Sequence, residues 1–250
     1  MTERLRVASF NIRTSLGRDG CNQWWLRRRA FVVTLRNLHA DVVGLQEVRP
    51  GPLRYLRRKF PGAQLIGAGR DPGGGGEHAT VLIAPGSWRV ESSETRWLSP
   101  SPNAPGSMGW DAGRPRVATL VQLACGAARV GVANTHLDDK GAVARREGAA
   151  LLVRWLAAEP DRPWVIVGDL NVAPDSATFR VFLDAGYRDA LAGVEGGTGH
   201  GFTGATDRAR IDHILVGPGI TVVSSAIGHE RPGGRLPSDH WPVVADLLVD

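Results

Sequence analysis

The strongest constraint on how this chain can fold is a pattern that occurs twice: an apolar run, a segment of helical spacing, then a second apolar run. The first copy is LRVASFNI (5–12), WWLRRRAFVVTLRNLHA (24–40) and DVVGLQEV (41–48). The second is RVGVANTHL (129–137), GAVARREGAALLVRWLAAE (141–159) and RPWVIVGDL (162–170). Trp25, Phe31, Val32, Leu35 and Leu38 recur close to the helical period, so that segment has an apolar stripe to cover, and the flanking runs read as buried strands. Such alternation builds a layered α/β architecture. ATVLIAPGSWRV (79–90) and RPRVATLVQLA (114–124) are strands with no helix between them, and IDHILVGPGITVVSSAI (211–227) reads as two strands joined around Gly217-Pro218-Gly219. Sheets built from both kinds of connection are mixed, which argues against an all-parallel barrel or a dinucleotide-binding arrangement. The two similar units predict two similar layers within a single domain spanning residues 1–250.

Polar residues stand where the apolar runs end. Asn11 closes VASFN, Glu47 sits in VVGLQEV, His136 in VANTHLDD, Asp169 and Asn171 in VIVGDLNVAP, and Asp239 with His240 precedes WPVVADL. Each has an ordinary reading: Asn11 capping a turn, Glu47 at the surface, His136 satisfied in a core, Asp169 as the turn residue of GDLN. Asp212, inside RIDHILV, resists one, because a carboxylate within a strand must be paired. Burying a polar group without partners costs roughly 2–7 kcal/mol, so the set fits a shared site at the strand ends better than a series of accidents. In that reading Glu47 and Asp239, helped by Asn11 and Asp169, supply the hard oxygen ligands that Mg2+ prefers. Asp212 could fix the tautomer of His240 and stabilise its protonated form. No GxSxG motif accompanies the histidine, which leaves water as the nucleophile.

Composition narrows the partners. At 42% hydrophobic and 22% charged residues the chain is that of an ordinary globular protein. MTERLRVASF enters the first strand without an apolar leader, and the longest apolar stretches are broken by Arg, as in AALLVRWLAA; neither a membrane span nor a secretory signal is expected. Cys21 and Cys125 are far apart with no CxxC, which argues against a disulfide framework or structural zinc and fits a cytoplasmic protein. The net charge of +5 favours phosphorylated or polyanionic partners. Four long loops, 69–77, 99–115, 193–208 and 229–238, are candidate rims of a site. The glycine run at 73–76 matches no phosphate-loop pattern and reads as a flexible surface turn.

Taken in order, SFNI, LQEV, NTHLD, GDLNVAPDS, RIDHILV and SDHWPV resemble the endonuclease/exonuclease/phosphatase (DNase I-like) superfamily of metal-dependent phosphoesterases over nearly the whole chain. WLSPSPNAPGSMGWDAGRPRVAT (97–119) is similar to a segment of compact bacterial members. The resemblance implies a four-layer α/β sandwich, with two mixed β-sheets packed face to face and helices outside. It implies Glu47 as the principal ligand of Mg2+ or Mn2+, with Asn11 and Asp239 beside the ion. Asp169 would position or deprotonate the attacking water or protonate the leaving oxygen, and Asn171 would hydrogen-bond the phosphate. His136 and His240 would flank the phosphate, with Asp212 the partner of His240. The chain departs from compact relatives at HATVLIAP (78–85), where a tyrosine is missing and His78 reads as a surface residue.

The expected activity is hydrolysis of a phosphate mono- or diester by water, on a small phosphorylated metabolite, with Arg114, Arg116, Trp110 and His200 on the loops as substrate-binding candidates. One alternative is a Mg2+-dependent nuclease, whose activity would fall steeply with salt. No long basic insertion for gripping a duplex is present, and the basic segment GPLRYLRRKF (51–60) reads equally as a solvated face. The other is a non-catalytic scaffold of the same fold, which the completeness of the polar clusters disfavours. A monomer is expected.

Overall fold

The computed structural model describes residues 2–250. Its strands are β1 (Glu3–Asn11), β2 (Val42–Val48), β3 (Gln64–Ile66), β4 (His78–Ile83), β5 (Arg89–Trp97), β6 (Val117–Cys125), β7 (Ala128–His136), β8 (Trp164–Asp169), β9 (Arg188–Asp189), β10 (Asp212–Val216), β11 (Ile220–Ile227) and β12 (Val243–Val249). The main helices are α1 (Trp24–Asn37), α2 (Pro50–Lys59), α3 (Ala142–Ala157) and α4 (Ala177–Asp184). They form two mixed six-stranded sheets, β11-β12-β1-β2-β4-β3 and β5-β6-β7-β8-β10-β9. The two repeated units of the sequence are the parallel pairs β1/β2 and β7/β8, bridged by α1 and α3. Every other pairing is antiparallel.

Strand periodicity explains the layers. In β1, Leu5 and Val7 point into a core between the sheets that Val121, Val130, Val132, Val165 and Val167 fill from the other side. Ala8 and Phe10 point the opposite way, onto Phe31 and Leu35 of α1 and Leu53 and Leu56 of α2. Behind the second sheet, Leu152, Leu156, Phe179 and Phe182 of α3 and α4 cover Ala118, Ala133 and Ile166. Each fully buried large side chain contributes roughly 1.5–3 kcal/mol, which fixes the helices to the outer faces. The stripe of α1 begins at Trp24, whereas Trp25 is 62% exposed, so the apolar face is set one residue earlier than its spacing in the sequence indicated.

One expected strand is two, and the two strands expected in 211–227 join different sheets. The run 79–90 splits at the turn around Pro85-Gly86, sending β4 to one sheet and β5 to the other, and 211–227 splits at Gly217-Pro218-Gly219 in the same way. Between the sheets runs a buried polar seam. Asn134 of β7 donates to the carbonyls of Leu45 (3.0 Å) and Thr80 (2.9 Å), and accepts from Gln46 Nε2 at 2.7 Å. Gln46 also donates to Ser9 and Gly44. A Cβ at Gly44 would lie 2.4 Å from Val167 and 2.8 Å from Asn134 Oδ1, so only glycine allows the sheets to close there.

Candidate active site

Glu47 near the end of β2, His136 at the end of β7 and Asp169 at the end of β8 line one cleft of about 280 Å3, with Arg13 and Thr14 just after β1. Glu47 reaches it through a backbone irregularity: the β2–β4 register shifts between Leu45 and Val48, and Glu47 adopts φ 61°. Such bulges commonly re-aim a side chain beside a site, at a backbone cost of order 1–3 kcal/mol. Arg13 (φ 58°) and Asn171 (φ 54°) share that left-handed conformation around the same cleft. Asn11 then ties the two sheets together, its Nδ2 donating to Glu47 Oε1 and to Asp169 Oδ2, both at 2.9 Å. The Thr14 amide donates to the other Glu47 oxygen at 2.6 Å.

Asp169 is the hub of the second sheet. Its Oδ1 accepts from the Asn171 amide at 2.9 Å, so it is also the turn residue of GDLN. Its Oδ2 lies 3.5 Å from His136 Nε2 and 3.9 Å from His240 Nε2. On the far side of that imidazole, His240 Nδ1 meets Asp212 Oδ2 at 2.8 Å. Burial raises the Asp169 carboxyl to about 7, with the facing Asp212 adding to the rise and His240 offsetting part of it. Burial alone would depress His240, but the Asp212 charge and hydrogen bond outweigh it and hold the imidazole well above its ordinary range. His136 goes the other way, held well below by burial and by Arg116.

Two groupings could hold a cation. Asp169, Asp212 and His240 each offer a ligand atom within 4.8 Å of the others. Glu47 and Asp239 offer only oxygens to the cleft, and Arg13 Nε stands 3.6 Å from Asp239. Burial pushes the Asp239 carboxyl above its usual range; His240 offsets this and the Glu47 charge reinforces it. A half-buried Glu47 and a buried Asp239 facing one cleft fit a hard divalent ion, since a cation there would offset the repulsion that Glu47 adds at Asp239.

The structure brings Glu47, His136, Asp169, Asn171, Asp239, His240, Arg114 and Arg116 into the wall of this cleft, with Asn11 and Asp212 directly behind. Asn171 spends its side-chain amide on the Leu137 carbonyl at 3.0 Å. Two loop candidates lie elsewhere. Trp110 is 40% exposed and outside the lining. His200 is fully buried rather than on a rim, tilted onto Trp241 with ring centroids 4.5 Å apart, and its Nδ1 accepts from the Gly204 amide. His78 is likewise no surface residue: it is buried on β4, and its Nδ1 bonds the Val48 carbonyl at 2.9 Å beside the bulge.

Several lining residues carried no motif signal. Arg70 and Glu77 flank the glycine run and join at 2.6 Å, with the Arg70 amide donating to the Glu77 carbonyl. Gly73 and Gly74 project while Arg70 and Gly76-Glu77 on either side are buried, which a run of four glycines conceals. Arg27 of α1 is fully buried, and its guanidinium donates to the carbonyls of Ile12, Arg13, Asn22 and Pro237. It thereby ties the chain after β1 to the chain before Asp239, and burial lowers it to about 10. A larger, more apolar depression of about 620 Å3 lies around Leu156, Trp164 and Tyr187, at the opposite end of β8, without a converging polar set.

This geometry can be compared with known proteins. The sequence matches the Endonuclease/Exonuclease/phosphatase family over residues 8–240. The chain belongs to that family. An endonuclease/exonuclease/phosphatase from Bacteroides vulgatus is 32% identical, with 99% of this chain and all of that one covered (100%) and a TM-score of 0.93. A family protein from Bacteroides thetaiotaomicron is 28% identical, covering 100% and 99% of the two chains, also with a TM-score of 0.93. A third, described as a mannosyl-6-phosphatase from Bacteroides thetaiotaomicron, is 29% identical over 97% of this chain and 99% of its own, with a TM-score of 0.90. No curated protein matches significantly. The endonuclease/exonuclease/phosphatase family consists of hydrolases of phosphate esters, and the two-sheet α/β sandwich of this chain is its fold. Among the described residues no helix is long and apolar enough to cross a membrane.

Proposed function

We propose that the protein is a divalent-metal-dependent phosphoesterase that hydrolyses a small phosphorylated molecule by water attack. The observation that carries this reading is the convergence of Asn11, His136 and His240 on one Asp169 oxygen, at the wall of a cleft that Glu47 and Asp239 also line. Glu47 and Asp239 would hold Mg2+ or Mn2+, with Asn11 fixing the Glu47 carboxylate. A cation held there neutralises charge on the phosphate oxygens.

Asp169 accepts the proton of the attacking water, for which a carboxyl near 7 is well matched. His240, charged and held by Asp212, stabilises the phosphate oxyanions as charge builds, and His136 donates from the other flank. Arg114 and Arg116 supply further donors on the substrate side. A small substrate is favoured over nucleic acid because the cleft wall mixes arginines with Glu77 and Asp139 and offers no uninterrupted basic track for a backbone. The mannosyl-6-phosphatase neighbour supports the same preference.

Phosphate release from a panel of sugar phosphates, nucleotides, plasmid and oligonucleotide DNA at fixed salt tests this reading. Turnover of small monoesters is expected with Mg2+ and is lost in EDTA and in folded Glu47→Ala and His240→Ala variants. Activity retained in both variants would overturn the mechanism, and preferential, strongly salt-dependent cleavage of DNA would move the assignment to a nuclease.

A further inference from the structure

We infer that the ion pairs Arg70–Glu77 and Arg116–Asp139 form a hydroxyl-binding subsite that holds the neutral polyol part of a sugar monophosphate. This deepens the phosphoesterase reading and rests on it for the location of the reacting phosphate. Arg70 and Arg116 are 8% and 6% exposed, and both line the cleft beside His136. Arg70 Nη1 meets Glu77 Oε2 at 2.6 Å, and Arg116 Nη2 donates to Asp139 Oδ1 at 2.7 Å. Those bonds leave donors over. Among the described residues Arg70 Nε, Arg116 Nε and Arg116 Nη1 are buried and have no hydrogen-bond partner. Their remaining carboxylate neighbours, Asp71 at 3.9 Å from Arg70 Nε and Asp138 at 3.5 Å from Arg116 Nε, lie beyond hydrogen-bonding reach. Leaving such donors unbonded costs about 1–3 kcal/mol each, which a small shift of either guanidinium towards an acceptor in the cleft would recover.

Charge decides which acceptors. Each arginine already faces a carboxylate: Arg70 has Glu77, Arg116 has Asp139 and Asp138, and Arg114 Nε lies 3.9 Å from Asp139. A second phosphate would bring negative charge against Glu77 and Asp139 in a half-enclosed site, where like charges repel strongly. A hydroxyl does not meet that penalty, because it accepts from a guanidinium N–H and donates to the adjacent carboxylate. Paired donors and acceptors on a nearly neutral wall therefore select vicinal hydroxyls over a second anion. The subsite adjoins His136, so it receives the part of the substrate that carries the ester oxygen.

Two measurements on the full chain test this. With Mg2+, kcat/KM for mannose 6-phosphate or glucose 6-phosphate is expected to exceed that for phenyl phosphate and for glucose 1,6-bisphosphate by about tenfold or more, the effect of one or two charge-assisted bonds. Asp139→Asn, at an exposed position compatible with folding, and Glu77→Gln should each lower that sugar-to-phenyl ratio by about tenfold. Preference for the bisphosphate, or ratios unmoved in both variants, overturns the subsite. Calorimetry in EDTA separates the two readings. If no phosphate ester is hydrolysed, the phosphoesterase reading fails. The subsite then stands if mannose 6-phosphate binds about tenfold more tightly than inorganic phosphate and loses that advantage in Asp139→Asn. It falls if the two bind alike.

Discussion

The two sheets carry the same strand order position for position, with the parallel pair third and fourth in each, but they deliver their carboxylates to the cleft differently. In the first sheet the β2–β4 ladder slips between Leu45 and Val48 and swings Glu47 out with a left-handed backbone. In the second the β8–β10 ladder runs without a slip, so Asp169 and Asp212 stand directly opposite each other. Like charges so placed destabilise a ladder, and here an imidazole reaches both: His240 lies 2.8 Å from Asp212 and 3.9 Å from Asp169. One bulge thus separates an oxygen-only grouping suited to a hard cation from a carboxylate–imidazole–carboxylate relay. The same topology, perturbed beside the cleft at β2–β4, brings two different side-chain groupings to one cleft.

The sharpest way to break that division is Asp212→Asn. Removing the charge that lifts His240 should lower the imidazole's pKa, visible by NMR titration, and reduce kcat by about a hundred- to ten-thousandfold. Mn2+ affinity, measured by calorimetry, should change far less if Glu47 and Asp239 hold the ion. Loss of Mn2+ binding would instead put it in the Asp169–Asp212–His240 group. Next in size is Asn134→Leu, which uncouples the halves by removing the shortest acceptor of Gln46 and the side-chain donors to the Leu45 and Thr80 carbonyls. A loss on the order of 3–5 kcal/mol is expected in urea unfolding.

The smallest effect concerns pH and centres on the second sheet. Buried His213 donates from Nε2 to the Val172 carbonyl at 2.8 Å and accepts at Nδ1 from Arg210, so its neutral form is the one bound, and burial lowers it from 6.5 to about 4. A folded value below the unfolded one means the contribution is whole above pH 6.5 and is lost as pH falls from there towards 4. The loss is on the order of 3 kcal/mol. His200, also lowered to about 4 by burial, adds in the same direction. Urea midpoints at pH 7 and pH 4.5 measure the slope, which His213→Gln should flatten.

Much of this is legible in the sequence itself. Strands β1, β2, β7 and β8 announce themselves because both faces are buried over most of their length and their central runs are mainly apolar or small. Strand β5, RVESSETRW, does not, since its charged outward face leaves no apolar alternation to read. Helix α4 is eight residues long, and its signal lies in the Ser176 cap more than in any periodicity. The strand-end clusters were visible because a polar residue ending an apolar run is costly unless it has company. Arg70, Glu77 and Arg27 were not, because their meaning depends on which distant carbonyls and loops come near them. His200 misled for the same reason: nothing in a glycine-rich loop tells that it folds under Trp241.

Asn134 lies on β7 two residues before His136 and grips β2 and β4 beside the Glu47 bulge. Because that grip is made almost wholly to backbone and to one glutamine, it does not depend on what the surface loops are made of. Insertions, deletions and new side chains in the segments at 69–77 and 99–115 can accumulate without re-registering the frame below. Substitutions in those loops are therefore expected to change what reaches the cleft while the strand register beneath Glu47 and His136 holds.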